Sequence, residues 1–152
     1  MNYWLMKTEP DVYSMDDMLA DKDQTTVWEG IRNYQARNFM RDGMKNGDQV
    51  LIYHSNAKPP GVIGIAKVVK EAYPDPFQFD ESSNYFDPKS AKDNPRWLAV
   101  DVKAVKKLDR LISLKELKEI EALSDMRLLQ RGNRLSVMPV EKKEFDIIVS
   151  LG

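Results

Sequence analysis

Cysteine is absent from the 152-residue chain. That removes disulfides, thiolate nucleophiles and cysteine-based zinc or iron–sulfur sites from consideration. Histidine occurs once, as His54, so no two-histidine metal site exists, and neither a metal nor a cofactor is expected. Long apolar runs are missing too. Nothing approaches the roughly 20 residues of a membrane span, and Met1-Asn2-Tyr3-Trp4-Leu5-Met6-Lys7 runs straight into Glu9-Pro10 without the apolar stretch of a signal peptide. The expectation is a cytoplasmic protein, nuclear if the source is eukaryotic, with no membrane partner. An excess of one charge is also lacking, because 23 basic side chains face 24 acidic ones for a formal net charge of −1. A surface built throughout to hold a polyanion is thereby excluded, and any nucleic-acid site must be a local basic patch. There is no internal repeat, no H-E-x-x-H helix, no phosphate-binding P-loop and no regular βαβ alternation, which disfavours a Rossmann-type fold.

What is present is a mixed pattern of strands and helices with 42% hydrophobic residues, enough for the core of one domain spanning 1–152. Tyr3 to Lys7 predicts a first strand. Ser14-Met15-Asp16-Asp17 is a capping box that predicts a helix to about Ala20. Helical character runs from Asn33 to Met40, and Gln49 to His54 alternates as a strand with Val50, Ile52 and His54 on one side. Lys58-Pro59-Pro60-Gly61 predicts a turn into a strand from Val62 to Val69, the two strands forming a hairpin. From Tyr73 to Pro95 prolines, aspartates and serines deny regular structure, yet Phe77, Phe79, Tyr85 and Phe86 anchor what should be an ordered functional loop. Arg96 to Val105 alternates as a half-buried strand, and Ser113-Leu114-Lys115-Glu116 starts a helix through about Leu123. One more turn at Met126 to Gln130, a strand from Leu135 to Val140 and a helix from Glu141 to Leu151 complete the chain. The sum is α+β, a small sheet or barrel with helices packed around it.

Chemistry concentrates in Trp28-Glu29-Gly30-Ile31-Arg32-Asn33-Tyr34-Gln35-Ala36-Arg37-Asn38. An indole face stacks a base, guanidiniums fork around phosphate, and an Asn amide offers one donor and one acceptor to a base edge. That mixture points to nucleotide recognition by Trp28, Asn33, Arg32 and Arg37. Asn33 could equally cap the helix it precedes, Trp28 could be a core anchor, and the arginines could be ion-paired. His54 and Ser55 at a strand end, with Lys7 at the end of the first strand, are further candidates for nucleotide contact. Tyr53, Lys89, Ser90, Arg96, Trp97, Arg134 and Ser136 are candidates for the rim.

Several ordered segments resemble the EVE domain. They are Tyr3-Trp4-Leu5-Met6-Lys7-Thr8-Glu9-Pro10, the stretch from Trp28 to Asn38, Tyr53-His54-Ser55, Tyr85-Phe86-Asp87-Pro88-Lys89-Ser90, Pro95-Arg96-Trp97 and Arg134-Leu135-Ser136-Val137-Met138-Pro139-Val140. The resemblance spans nearly the whole chain. It implies a PUA-like fold, a small β-barrel flanked by helices and related to YTH and ASCH domains. It also implies a non-enzymatic reader of a modified base, whether modified cytosine in DNA or a modified base in RNA. Two other readings stand beside it. One is a protein-interaction or small-metabolite module using the aromatic loop from Phe77 to Phe86. The other is an enzyme acting on a modified nucleotide, with Ser55 and His54 as a nucleophile pair.

Overall fold

The computed structural model describes all 152 residues. Six strands form one mixed sheet: β1 (Tyr3–Thr8), β2 (Thr25–Trp28), β3 (Gln49–His54), β4 (Gly61–Pro74), β5 (Leu98–Ser113) and β6 (Val137–Val140). Their spatial order is β2-β5-β4-β3-β1-β6. β1 runs parallel to β3, with Leu5 opposite Leu51, and every other pairing is antiparallel. The edge strands β2 and β6 are not hydrogen-bonded to each other. They are the two ends of the sheet, and both of its faces are covered, in the α+β arrangement expected.

Strand alternation explains that double burial, because successive side chains leave a strand on opposite sides. Trp4, Met6, Val50 and Ile52 share one apolar layer with Met15, Met18 and Met40. Those methionines come from α1 (Met15–Ala20) and from α2 (Tyr34–Asp42). Leu5, Leu51 and Tyr53 point the other way, into a layer with Leu117, Phe145 and Ile148, supplied by α3 (Leu114–Lys118) and α4 (Lys142–Leu151).

Most predicted elements occur within a residue or two, and the exceptions are few. β4 and β5 run on to Pro74 and Ser113, well beyond the expected ends, because they pair with each other along a ladder interrupted by repeated register shifts. Those shifts blur the alternation that marks a strand in sequence. β2 was not anticipated at all, since four residues are too short for a periodic signal. The helix expected through Leu123 stops at Lys118 and gives way to single turns at Glu121–Leu123 and Arg127–Leu129.

Candidate functional site

Four segments that are remote in sequence enclose a pocket of about 340 Å³, at the small end of the ~300–1,000 Å³ usual for small-molecule sites. The end of β1 contributes Lys7, Thr8 and Glu9, and β2 with its exit contributes Thr26, Trp28 and Glu29. Tyr85 closes the pocket from the long loop and Ser136 from the entry to β6. Between β1 and α1 the chain turns back over the pocket. Thr8 donates its hydroxyl to the Tyr13 carbonyl at 2.7 Å, and the backbone N–H groups of Val12 and Tyr13 both donate to Glu9 O. Val12 and Tyr13 thus become a wall. The Tyr13 hydroxyl donates to Asp21, and burial, with that bond, pushes its pKa up to about 12.

The three tryptophans separate by what their indole N–H does. Trp4 donates to Asp48 at 3.0 Å and Trp97 to Asp87 at 2.7 Å, so both are structural. Trp28 lies in the core layer, only 7% exposed, yet it also lines the pocket. Its Nε1 has no partner within the chain, and no buried side-chain nitrogen or oxygen is left unpartnered anywhere. That N–H therefore keeps some access to solvent, and the residue borders the pocket. Beside it the half-buried Glu29 carboxylate makes no hydrogen bond to another residue. Its pKa is raised by burial and by the neighbouring charge of Asp75, with Arg32 opposing. The Lys7 ammonium sits over the Tyr53 ring at 5.7 Å with its pKa lowered by burial, and no carboxylate pairs with it.

Of the residues singled out from sequence, Trp28, Lys7 and Ser136 come together at the pocket. The others do not. Asn33 is the N-cap of α2, its Oδ1 accepting from the Ala36 N–H at 3.0 Å, so its base-reading acceptor is spent on the helix. Arg32 is committed to the fold: Nη1 pairs with fully buried Asp75 at 2.9 Å and Nη2 donates to Tyr85 O at 2.7 Å. Arg37 donates to Arg96 O at 3.0 Å and to the Asn38 side chain at 2.8 Å. His54 Nε2 accepts from the Met15 N–H at 3.1 Å, tying the start of α1 to β3. Ser55 lies past that strand end, its N–H donating to Thr8 O. Both fall outside the pocket because β3 sends His54 toward α1.

The rim candidates divide in the same way. Tyr53 is buried in the second apolar layer. Ser90 is an internal staple, its hydroxyl donating to Gln78 Oε1 at 2.6 Å while accepting from the Arg96 N–H at 2.9 Å. Trp97 is 6% exposed and stacked on Tyr34 at 4.8 Å. Lys89 is exposed and outside the pocket lining, and Arg134 borders a neighbouring groove.

Sequence reasoning missed the parts that shape the pocket. Asp75 accepts from the Gly30 N–H, the Phe77 N–H and Arg32, pinning the exit of β2 to the long loop. Gly30 has φ +82, and a Cβ there would lie 2.7 Å from Tyr85 Cζ. Only glycine allows both that backbone and the close approach of the tyrosine ring. Arg32 lies between the Tyr85 and Trp97 rings, 5.4 Å from each, and Arg37 lies 4.8 Å from Tyr34. With Tyr34 stacked on Trp97, this makes a continuous column of aromatic and guanidinium groups. The arginines that looked like phosphate ligands are the scaffold that holds Tyr85 at the pocket. The signal that could have found this was the aspartate ahead of Pro76-Phe77, a turn-capping pattern.

A larger recess of about 670 Å³ lies along β1 and β6. The indole it contains is Trp4, whose N–H is already used, and it brings together no comparable set of free polar groups.

Residues 2–151 match the EVE domain. The chain is 47% identical over 167 aligned residues to thymocyte nuclear protein 1 of Rattus norvegicus, covering 99% of this chain and 73% of the rat protein. The crystal structure of the human THYN1 protein in complex with DNA containing 5-methylcytosine superposes with a TM-score of 0.93 at 44% identity, covering 99% of this chain and 97% of that one. The Mmi1 YTH domain, at 14% identity and a TM-score of 0.55, shares the fold. With a match running from residue 2 to residue 151 and relatives this similar, the chain belongs to the EVE domain family.

Proposed function

We propose that this protein is a non-enzymatic reader of a modified base in nucleic acid, taking a swung-out nucleotide into the pocket beside Trp28. The observation that carries the reading is that Trp28, whose indole N–H has no partner in the chain, lines a cavity of about 340 Å³. The human relative's complex with 5-methylcytosine DNA supports modified cytosine in DNA as the first ligand to test, ahead of RNA. In this reading Trp28 and Tyr85 provide the ring surfaces and Trp28 Nε1 donates to an acceptor on the base. Glu29 accepts from an exocyclic amine, the contact a carboxylate makes with cytosine N4. Lys7 meets the phosphate, and Ser136 closes the wall. Extruding a base costs a few kcal/mol, which stacking of about 1–3 kcal/mol together with polar contacts must offset. Such a reader works where its nucleic acid is, in the cytoplasm of a prokaryote or the nucleus of a eukaryote.

Catalysis by a Ser55–His54 pair finds no support, because His54 Nε2, the nitrogen a general base needs, already accepts from Met15 N–H. The interaction-module reading is weakened because Tyr85 of the aromatic loop is a pocket wall held by Arg32.

The test is a titration of the protein with duplexes carrying 5-methylcytosine, 5-hydroxymethylcytosine or cytosine at one position, using wild type and Trp28→Phe. Phenylalanine keeps an aromatic face and deletes the donor together with part of the ring surface. Losing one hydrogen bond worth about 0.5–1.5 kcal/mol weakens the preferred duplex about threefold to tenfold. Indistinguishable binding of all three duplexes by wild type would sink the reading.

A further inference from the structure

Next to the pocket lies a second cavity, a groove of about 360 Å³. Its wall carries the guanidiniums of Arg127 and Arg134 and the side-chain amides of Asn33, Gln35 and Asn133, and no carboxylate. Neither arginine has an acidic partner anywhere in the protein, although acidic side chains outnumber basic ones. Both arginines are exposed, and Arg127 rests over the Phe39 ring at 5.4 Å. The segment bearing them is fixed by Asn133, which donates to Arg127 O at 2.6 Å and accepts from the Leu135 N–H at 2.9 Å. Unneutralised guanidiniums beside the side-chain amides of Asn33 and Gln35 suit phosphate oxygens.

The groove and the pocket are joined by two chain segments. Ile31 and Ser136 line the pocket, while Asn33, two residues after the first, and Arg134, two residues before the second, line the groove. Two residues of chain span at most about 7 Å, roughly the distance from one nucleotide to the next.

We propose that this groove carries the phosphodiester backbone flanking the nucleotide held in the pocket, Arg127 and Arg134 each neutralising one phosphate. This rests on the reading above that the pocket takes its base from a polymer. It assigns the two arginines to affinity and the pocket to base choice, since phosphate contacts carry no sequence information directly.

The experiment measures binding of wild type, Arg127→Gln, Arg134→Gln and the two lysine variants to methylated and unmethylated duplexes across a salt series, with 5-methylcytidine nucleoside as a third ligand. Each glutamine substitution should flatten the plot of log K against log salt by about 0.9 and weaken both duplexes about fivefold at 0.15 M salt. Their ratio and nucleoside binding should stay unchanged, and the lysine variants should restore most of the slope. Glutamine variants with wild-type affinity and slope on a duplex that wild type binds would overturn the proposal and leave the pocket reading intact. A wild type without methyl preference whose slope still flattens on substitution would keep the groove and remove the pocket reading. If wild type binds no oligonucleotide at all, both fall.

Discussion

His54 shows how a single side chain can look functional in sequence and prove structural. The nitrogen that accepts from Met15 N–H must be unprotonated. Burial lowers the imidazole pKa, Lys107 adds to that, and Asp16 opposes it. The folded state therefore binds the proton less readily than the unfolded chain, whose histidine titrates near ~6.5. Stability from this contact is complete above that value and declines as the pH falls through it toward the lower folded pKa, because the unfolded state takes up the proton first. Urea unfolding of wild type and His54→Gln should show wild type losing stability between about pH 7 and 5 with the slope of up to one proton. The variant should lack that component, and identical pH profiles would show that His54 is not the linked group. Trp28 is the opposite case. Three tryptophans are equivalent in composition, and only the partners of their N–H groups tell them apart.

At the scale of elements, the long loop between β4 and β5 behaves as a built wall. Gln78 is fully buried and spends its whole amide on that loop: Nε2 donates to Asp75 O and Trp97 O, both at 2.8 Å, and Oε1 accepts from Ser90 Oγ and the Trp97 N–H. Replacing it with leucine of similar bulk strands several buried polar groups at once, and a single stranded group already costs about 1–3 kcal/mol. We expect Gln78→Leu to lower global stability by about 3 kcal/mol and to raise hydrogen exchange across residues 75–97 first. Loss spread evenly over the sheet would mean the loop is not held by this side chain. Base binding should weaken with the loop, since Tyr85 hangs from the same segment. The prolines and aspartates of this region announced irregular backbone, but the amide that organises it carried no periodic signal. The same holds for β2, whose four residues pair with β5 from Thr25 to Trp28 and carry Trp28 to the pocket.

For the whole molecule, balanced charge limits how nucleic acid can be held. With a formal charge of −1, long-range attraction is weak and binding depends on a few placed cations. Lys7 at the pocket and Arg127 and Arg134 at the groove are three, which gives an expected salt slope near −2.7 for duplex DNA. An anisotropy series from 0.05 to 0.3 M salt checks it. A slope beyond about −6 would require a far wider contact surface than these three groups provide.

Local sequence was sufficient for what local physics decides. The helix-start signals at Ser14 and Ser113, the alternation of β1 and β3 and the absence of cysteine set the α+β class and the position of most elements. Together with the ordered motifs they also marked the family. The stretch from Trp28 to Asn38 is dense in side chains of recognition chemistry, and Trp28 lines the pocket. Its neighbours Arg32, Asn33 and Arg37 are drawn into the fold by partners that lie far along the chain or within the next helical turn. Whether a guanidinium meets phosphate or a buried carboxylate such as Asp75 depends on what lies 43 residues away, and no spacing rule records that. Tertiary structure alone assembled Lys7, Trp28, Tyr85 and Ser136 around one cavity, because a site made from strand ends and a loop exists only once the sheet has brought them together.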